Sequence, residues 1–342
     1  MLAGIAAFAV PGAVWGRNPI VPGWYADPEI HVFDGRYWIY PTSSNGTDGD
    51  PSPHLTPVQV ELRKGAKVRP EYLRQTSFDA FSSPDLVHWT RHDRVFDVTG
   101  ASWAAYAIWA PSVLAHDGRY WMFFSANDIQ RDGETGGIGL AVSDRPQGPF
   151  RDAIGRPLIG AFHNGAQPFD PFAFRDDDGQ VYLYYGGWRH CNVVRLSPDL
   201  KSIVPFPDGT TYREITQPGY VEGSFVVKRR DVYYLMWSEG GWTGPGYRVA
   251  YAMGPTALGP FVKKGTILAQ DLKVARGAGH HSVVNVPGTD EWYIAYHRRP
   301  LDTDRGEHRQ LALERMWFED DGTIRPVKLT NDGVAARPLN RG

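Results

Sequence analysis

Three acidic side chains stand at matching places in a repeated pattern, each just before a short apolar segment. They are Asp27 in YADPEI, Asp170 in FDPFAF and Glu222 in VEGSF, while Trp109 in WAPSV and His280 in GHHSV occupy the matching places of two further repeats. Carboxyl groups that share a small volume raise the pKa of at least one member, so one acid can stay protonated beside an ionised neighbour. Glycoside hydrolysis requires this division of labour, because one carboxyl protonates the leaving oxygen while another activates water or attacks the sugar.

Each acid also has an ordinary structural interpretation when it is taken alone. Asp27 and Asp170 precede proline, and Asp-Pro commonly starts a turn. Glu222 lies in VEGSFVV, which otherwise resembles a buried strand, where an unpaired carboxylate is costly. Because all three acids share one position in the repeat, we interpret Asp27, Asp170 and Glu222 as catalytic residues.

Five aromatic-rich segments follow turns that contain Asp, Gly or Arg, which indicates an internal repeat. They are DGRYWIY (34–40), DGRYWMFF (117–124), DGQVYLYYG (178–186), RDVYYLMWS (230–238) and TDEWYIAYH (289–297). A short apolar segment precedes each one, and both segments have the composition of strands. The preceding segments occupy 28–33, 111–116, 171–176, 223–228 and 281–286. Further strand–turn–strand patterns follow each hairpin, so each repeat holds about four strands.

The repeat spacing predicts an all-β protein with a five-bladed β-propeller. The aromatic residues Trp38, Trp121, Tyr182, Tyr234 and Tyr293 are equivalent, and successive members are 83, 61, 52 and 59 positions apart. Blades of about four antiparallel strands around a central channel fit this size. The innermost strands of all blades start at one mouth of the channel, so the acids would converge there. A β-sandwich with coincidental turn spacing is the alternative, but it would not place special residues at one phase of every repeat.

The ends and the first repeat carry segments outside this pattern. Residues 1–16 are apolar and small, like the central region of a secretory signal, although no Lys or Arg precedes them and no clean A-x-A site follows. They are therefore either a signal-like or an ordinary N-terminal segment, and a secreted or periplasmic location is favoured over the cytoplasm. The propeller would occupy 17–342. An insertion near 45–76 is polar and irregular, and would form a lobe beside the pocket or a flexible surface loop.

Composition argues against several other classes of function. The net charge is −2 and no long run of one sign occurs, so the basic stripe of a nucleic-acid-binding protein is missing from the sequence. A single cysteine, Cys191, rules out an internal disulfide framework. No segment is long and apolar enough to cross a bilayer as a helix. Nucleotide-binding loops, serine elbows and redox motifs are also missing from the sequence.

At these acids the chain resembles glycoside hydrolase family 43, whose five-bladed propeller enzymes act on arabinose- and xylose-containing polysaccharides. The resemblance runs from Asn18 to about Asp332. NPIVPGWYADPEI resembles the family's opening and implies that Asp27 is the general base, while FDPFAF implies that Asp170 tunes and orients the acid. VEGSF implies that Glu222 is the general acid. The turns SSPDLVHW, SDRPQGPF and GPTALGPF and the ending LALERMWFEDDGTIRPV also resemble the family. An inverting, single-displacement hydrolysis is implied.

The resemblance extends to metal and substrate contacts. GAGHHSVV resembles a last-blade segment whose histidine faces the channel and in many relatives binds a metal, usually calcium; His280 matches best and His281 is the fallback. Zinc is disfavoured, because neither cysteine pairs nor spaced histidines are present. YHRRP implies an arginine that contacts the substrate. Strand alternation sends only one of Arg298 and Arg299 inward, and Arg298 is favoured.

The remaining expectations concern two tryptophans near the pocket and the sugar unit that the site would bind. Trp109 would form a wall of the pocket, and Trp242 in SEGGWTGPG would line its entrance, although loop packing also explains Trp242. The favoured substrate is a terminal α-L-arabinofuranosyl unit of plant cell-wall arabinan or arabinoxylan, followed by β-D-xylosyl and galactosyl units. A noncatalytic carbohydrate-binding propeller would be expected to lack one of the acids. A fructose-releasing hydrolase of the invertase group would use a retaining Asp nucleophile in a different opening motif.

Overall fold

The computed structural model describes residues 14–44 and 54–339, which form five small antiparallel sheets with few helices. Residues 1–13 of the signal-like segment and 45–53 of the predicted insertion lie outside the described residues. The first sheet contains β1 (Tyr25–Phe33), β2 (Arg36–Ser43), β3 (Ser77–Ser83) and β4 (Thr90–Asp97). The second contains β5 (Trp109–His116), β6 (Arg119–Ala126), β7 (Gly137–Ser143) and β8 (Arg151–Asp152).

The remaining three sheets repeat this order. The third contains β9 (Phe172–Arg175), β10 (Val181–Tyr185), β11 (Asn192–Leu196) and β12 (Ile203–Val204), with β13 (Arg213–Glu214) also paired to β11. The fourth contains β14 (Glu222–Arg229), β15 (Val232–Glu239), β16 (Arg248–Gly254) and β17 (Val262–Ala269). The fifth contains β18 (Arg276–Asn285), β19 (Trp292–Arg299) and β20 (Gln310–Met316).

The innermost strands form a closed ring, which confirms the predicted five-bladed propeller. β1 contacts β5, β5 contacts β9, β9 contacts β14, β14 contacts β18, and β18 returns to β1. Blades one, two and four each contain the predicted four strands. Blade five has three named strands, and blade three carries the additional β13.

Strand alternation explains why the second strand of each blade is so rich in aromatic residues. On β2, Trp38 and Tyr40 pack into a core shared with blade two, whereas Tyr37 and Ile39 pack into a core shared with blade five. Successive side chains of a strand point to opposite faces, and here both faces meet a neighbouring blade. A strand buried on both sides can therefore be apolar throughout, which is the pattern in the sequence.

The two ends of the described chain close the ring at blade five. The backbone N–H of Ile20 donates to the Leu311 carbonyl at 3.0 Å, and that of Tyr25 donates to the Arg309 carbonyl at 2.8 Å. Farther out, Trp15 pairs with Ala335 in an isolated bridge. The first strand thus enters beside the last strand, which places β1 against the final blade.

The described part of the predicted insertion is helical, whereas the sequence had indicated irregular chain. It forms α1 (Pro57–Gly65) and α2 (Pro70–Arg74). Thr56 and Gln59 form a reciprocal capping box at the start of α1, and such a box satisfies otherwise unpaired helix N–H groups. The buried Gln59 amide also donates to the carbonyls of residues 98, 101 and 104. This helical lobe is thereby fixed against the approach to β5. No helix of the described residues is long and apolar enough to span a membrane.

Candidate active site

A left-handed residue marks one mouth of the channel in every blade. The five residues and their φ angles are Asp27 (49°), Ala110 (45°), Asp170 (51°), Gly223 (64°) and His280 (36°). Register shifts in the ladder between the two inner strands accompany this feature in blades one, two, four and five. A non-glycine residue in the left-handed backbone conformation costs about 1–3 kcal/mol, and such strain clusters at functional sites. The repeated bulge therefore turns one set of side chains toward the mouth.

The structure refines the single repeat position that the sequence had indicated. In blades one, three and five the left-handed residue itself carries the side chain that lines the pocket. In blades two and four the left-handed residues are Ala110 and Gly223, and the side chains at the mouth belong to the preceding residues, Trp109 and Glu222. A bulge inserts one extra residue into a strand, so equivalent positions can shift by one.

Side chains from the preceding blade hold four of these left-handed residues. In each case the backbone N–H of the left-handed residue donates to a side chain of the second strand of the blade before it. The pairs are Asp27 with His297 Nδ1 (3.2 Å), Ala110 with Thr42 Oγ1 (2.8 Å), Asp170 with Ser125 Oγ (3.0 Å) and His280 with Ser238 Oγ (3.1 Å). The mouth residues are consequently positioned by contacts between blades as well as within them.

The three predicted acids meet in one pocket of about 70 Å³. Its lining consists of Asp27, Tyr72, Trp109, Phe169, Asp170, Glu222, Trp242, His280 and Arg309. The structure thus brings together every sequence-predicted site residue except Arg298 and the fallback His281. Asp27 and Asp170 are buried, and Glu222 is partly buried.

Asp27 is surrounded by positively polarised groups. Arg309 Nη1 and His280 Nδ1 each lie 3.2 Å from Asp27 Oδ1. Burial alone would raise the pKa of Asp27, but the charges of Arg309 and His280 hold it well below its usual value. Asp27 is therefore ionised near neutral pH, as a base that accepts a proton from water must be.

Asp170 and Glu222 have the opposite electrostatics. Burial and the neighbouring Glu222 carboxyl raise the pKa of Asp170 well above its usual value, although the His280 charge opposes this. Burial also raises the pKa of Glu222, against the lowering effects of His280 and of a hydrogen bond from Tyr247. Two coupled carboxyls of this kind titrate as a pair. The raised pKa values favour a proton retained on this pair, which a general acid needs.

His280 links the two halves of the site. Its Nδ1 atom lies 3.2 Å from Asp27 Oδ1 and 3.7 Å from Asp170 Oδ2. Burial alone would lower the pKa of His280, but the two carboxylates raise it to about 9. His280 is therefore an imidazolium that stabilises ionised Asp27.

Arg298 lies away from the pocket, contrary to the expectation that it binds substrate. Its guanidinium donates to the carbonyls of Thr330 and Asn18 and to the Asn331 side chain. Arg298 therefore connects the N-terminal segment at Asn18 to the C-terminal segment at 330–331. Alternation along β19 sends Arg298 to the opposite face from His297. Arg299 is closer to the site, because it donates to the Thr243 carbonyl beside Trp242.

The two predicted tryptophans both line the pocket. Trp109 packs edge-to-face on Tyr72 of α2, with ring centroids 4.8 Å apart, and its indole N–H donates to Gln75. Trp242 contacts two guanidinium groups, those of Arg309 at 4.8 Å and Arg69 at 5.5 Å from its ring centroid. Cation–π contacts of this kind favour a fixed ring orientation. Both walls therefore present ordered aromatic surface to a sugar.

Sequence reasoning missed Arg309, His297 and Tyr247. Arg309 immediately precedes β20, and His297 lies near the end of β19, so both reach the same mouth from outer strands. Tyr247 donates from its hydroxyl to Glu222 Oε1 at 2.9 Å. Only the positions of these residues at strand ends that face the mouth could have indicated them.

Comparison with known proteins fits this geometry. Residues 16–324 match the family described as glycosyl hydrolases family 43. The chain belongs to glycoside hydrolase family 43. It is 38% identical to the β-D-galactofuranosidase xynD of Aspergillus niger, over 94% of this chain and 88% of that protein. It is 28% identical to a xylosidase/arabinosidase of Bacteroides ovatus, over 90% of this chain and 96% of that protein.

Solved structures of the family agree in fold. An α-L-arabinofuranosidase from Clostridium thermocellum superposes with a TM-score of 0.69 at 28% identity, covering 90% of this chain and 95% of that one. Family 43 enzymes invert anomeric configuration, and this chain is accordingly an inverting glycoside hydrolase by membership. An ionised carboxylate and a protonated carboxyl in one pocket are the groups that inversion uses.

Three side chains could hold an ion at the place of the calcium expected at His280, but by themselves they supply only part of a calcium ligand set. Asp170, Glu222 and His280 can each bring one ligand atom to within 4.8 Å of the others. Calcium takes six to eight oxygen ligands, whereas this set offers two carboxylates and an imidazole that carries its own charge. A second cavity lined by Asp27, Asp170 and His280 measures about 20 Å³, which accommodates a water-sized occupant. His281 packs on Met236 and is held neutral by burial, which lowers its pKa to about 3.

Removing the Tyr247 hydroxyl should move the pH profile of this family 43 enzyme. The hydroxyl stabilises ionised Glu222 and lowers its pKa, so Tyr247→Phe raises that pKa and keeps the acid protonated to higher pH. We expect the basic limb of kcat/KM to shift to higher pH, measured on an unactivated glycoside. Tyr234→Phe is the control, because its hydroxyl bonds the Gly322 carbonyl far from the pocket. An unchanged basic limb in Tyr247→Phe would contradict the assigned contact.

Proposed function

We propose that this enzyme releases single terminal α-L-arabinofuranosyl units from arabinan or arabinoxylan side chains. The observation that carries the proposal is the charge separation across one pocket, with ionised Asp27 on one side and the proton-holding Asp170–Glu222 pair on the other. Plant cell-wall polymers of this kind lie outside the cytoplasm, so the proposal favours a secreted or periplasmic enzyme.

The mechanism is one displacement at the anomeric carbon. Asp27 accepts a proton from a water molecule as the water oxygen bonds to that carbon, and the glycosidic bond breaks on the opposite side. Glu222 gives its proton to the departing oxygen, while Asp170 and Tyr247 orient and tune it. The step leaves Asp27 protonated and Glu222 ionised, and exchange with solvent restores both. Such proton transfers typically contribute about 10²–10⁴-fold each.

The helical lobe supports action at chain ends. Arg69 at the start of α2 pairs with Glu307 at 2.9 Å, and Glu71 lies 3.7 Å from Arg305 of the same blade-five loop. Trp242 packs beneath Arg69. These contacts connect the lobe to blades four and five beside Asp27 and close one side of the pocket. A closed side accommodates a terminal unit and obstructs a continuous polymer.

A terminal β-D-galactofuranosyl unit is the second candidate. The relative from Aspergillus niger that is named for this sugar shares 38% identity, against 28% for the xylosidase/arabinosidase of Bacteroides ovatus. The two furanosyl rings have the same configuration at the anomeric carbon and around the ring, and differ in the length of the exocyclic group. One arrangement of acids therefore serves either sugar, and the space around that group decides between them. β-D-xylosyl units remain the third candidate.

A panel of p-nitrophenyl glycosides tests the proposal. It contains the α-L-arabinofuranoside, the β-D-galactofuranoside and the β-D-xylopyranoside, with sucrose added for the fructose-releasing alternative. We expect the arabinofuranoside to give the highest kcat/KM and proton NMR to show the inverted anomer first. A preference for the galactofuranoside or xyloside would replace the proposed sugar. Binding of arabinan without hydrolysis of any substrate would instead indicate a noncatalytic carbohydrate-binding protein.

We also propose that hydrolysis needs no bound calcium, because His280 supplies the positive charge between the carboxyls. Exhaustive dialysis against EDTA should leave kcat/KM unchanged, and added calcium should not increase it. Circular dichroism of the same samples controls for unfolding. Activity that is lost on chelation and restored by calcium would contradict this part of the proposal.

A further inference from the structure

An exposed tryptophan is held in an unusual backbone conformation beside the pocket. The loop 186–190 follows β10 at the mouth, and Trp188 in it is 48% exposed. Trp188 and Arg189 both have left-handed backbones, with φ angles of 54° and 72°. Two successive non-glycine residues in this region are costly and persist only where the surroundings fix them. This loop therefore holds the Trp188 ring outward at an energetic cost.

The loop is attached to the pocket wall on one side. The N–H of Gly186 donates to the Phe169 carbonyl at 2.9 Å, and that of Gly187 donates to the Gln167 carbonyl at 3.2 Å. Gly187 lies so close to the Phe169 ring that a Cβ there would overlap it. Because Phe169 lines the pocket, Trp188 stands directly beside the pocket wall.

On its other side the loop is attached next to the proposed acid. The N–H of Arg189 donates to the carbonyl of Val221, the residue that precedes Glu222. A general acid protonates the leaving oxygen, so the leaving group must lie on the Glu222 side of the scissile bond. Trp188 consequently stands where the chain that continues from the leaving oxygen would emerge.

We propose that Trp188 is a stacking platform for the first sugar ring of the leaving group. Its ring is supported from behind by Phe162, at a centroid distance of 4.9 Å, which leaves the outer surface to solvent. Sugar rings have apolar C–H faces that pack on aromatic rings, and tryptophan offers the largest such surface. The inference rests on the proposed function, and it assigns specificity for a saccharide leaving group to this loop.

Trp188→Ala tests the platform with two substrates that share the terminal sugar. Methyl α-L-arabinofuranoside has no ring in its leaving group, whereas an arabino-oligosaccharide has one; if the glycoside panel selects galactofuranose, the matching galactofuranosyl pair is used. We expect kcat/KM on the oligosaccharide to fall about tenfold, mainly through KM, with methyl glycoside hydrolysis unchanged. Trp188→Phe, which keeps an aromatic face, should recover most of the loss.

Trp317→Ala is the matched control. Trp317 is 51% exposed and follows the end of β20, opposite to the Arg309 end that faces the pocket, so its removal should change neither substrate. An equal loss on both substrates in Trp188→Ala would mean that Trp188 only supports Phe169, and an unchanged oligosaccharide rate would also overturn the platform. Hydrolysis of the methyl glycoside by the wild-type enzyme tests the proposed function alone. If the wild type fails to hydrolyse it, the proposed function is wrong, whereas the Trp188 variants test only the platform.

Discussion

Glu222→Gln should retain substrate binding and lose about 10²–10⁴-fold of its turnover on unactivated glycosides. Glutamine keeps the shape of the side chain and can still accept the hydrogen bond from Tyr247, but it has no acidic proton for the leaving oxygen. A leaving group that departs without protonation, such as dinitrophenolate, should recover much of the rate. Steady-state kinetics on both substrates, with calorimetric binding of an arabino-oligosaccharide, measure these effects.

A surface substitution separates this effect from a general loss of folding. Glu319 pairs with the exposed Arg325 at the outer edge of blade five, so Glu319→Gln should have wild-type kinetics. If Glu222→Gln kept wild-type turnover on unactivated glycosides, Glu222 would not be the general acid.

Asp27→Ala should be equally damaging, with a loss of about 10²–10⁴-fold that persists when the leaving group is activated. Without the carboxylate the proposed acceptor for the proton of the attacking water is lost, and a better leaving group does not replace a base. Since its pKa is held low, Asp27 is already ionised over most of the working range, and the acidic limb of the wild-type rate should appear only where Asp27 becomes protonated. Kinetics on a p-nitrophenyl and a dinitrophenyl glycoside measure the effect.

Comparing how the two variants respond to the leaving group distinguishes the acid from the base better than either variant does alone. Glu222→Gln should respond to the leaving group and Asp27→Ala should not. Recovery of Asp27→Ala with a good leaving group would exchange the two assignments. Asp93→Ala controls for the loss of an exposed aspartate, because Asp93 pairs with Arg91 on the outer strand of the same blade.

The parts of the site that local sequence determines could be predicted. The five hairpins and three acids follow from short patterns that repeat along the chain, because each strand must bury two apolar faces between neighbouring blades. Arg309 could not be found in this way, since only closure of the ring brings it to Asp27. Arg298 was chosen wrongly because alternation shows that one of two adjacent arginines faces the site without showing which.

Short helices and bulges were also difficult to predict. α1 and α2 span nine and five residues, which is too few for a clear helical periodicity, although the Thr56–Gln59 capping box was visible in the sequence. The one-residue offset at Trp109 and Glu222 was not predictable, because the bulges beside these residues have no distinctive sequence pattern.

The attachment of blade one to blade five has a consequence for when the enzyme becomes active during its synthesis. Asp27 is made early, yet its backbone is held by His297 and its carboxylate by Arg309, both supplied by the last blade. Proteins emerge from the ribosome starting at the N-terminus, so the nascent chain carries its base long before it can hold that base in place. Hydrolysis should begin only after the final hairpin has docked. Catalytic activity is therefore a direct readout of complete ring closure.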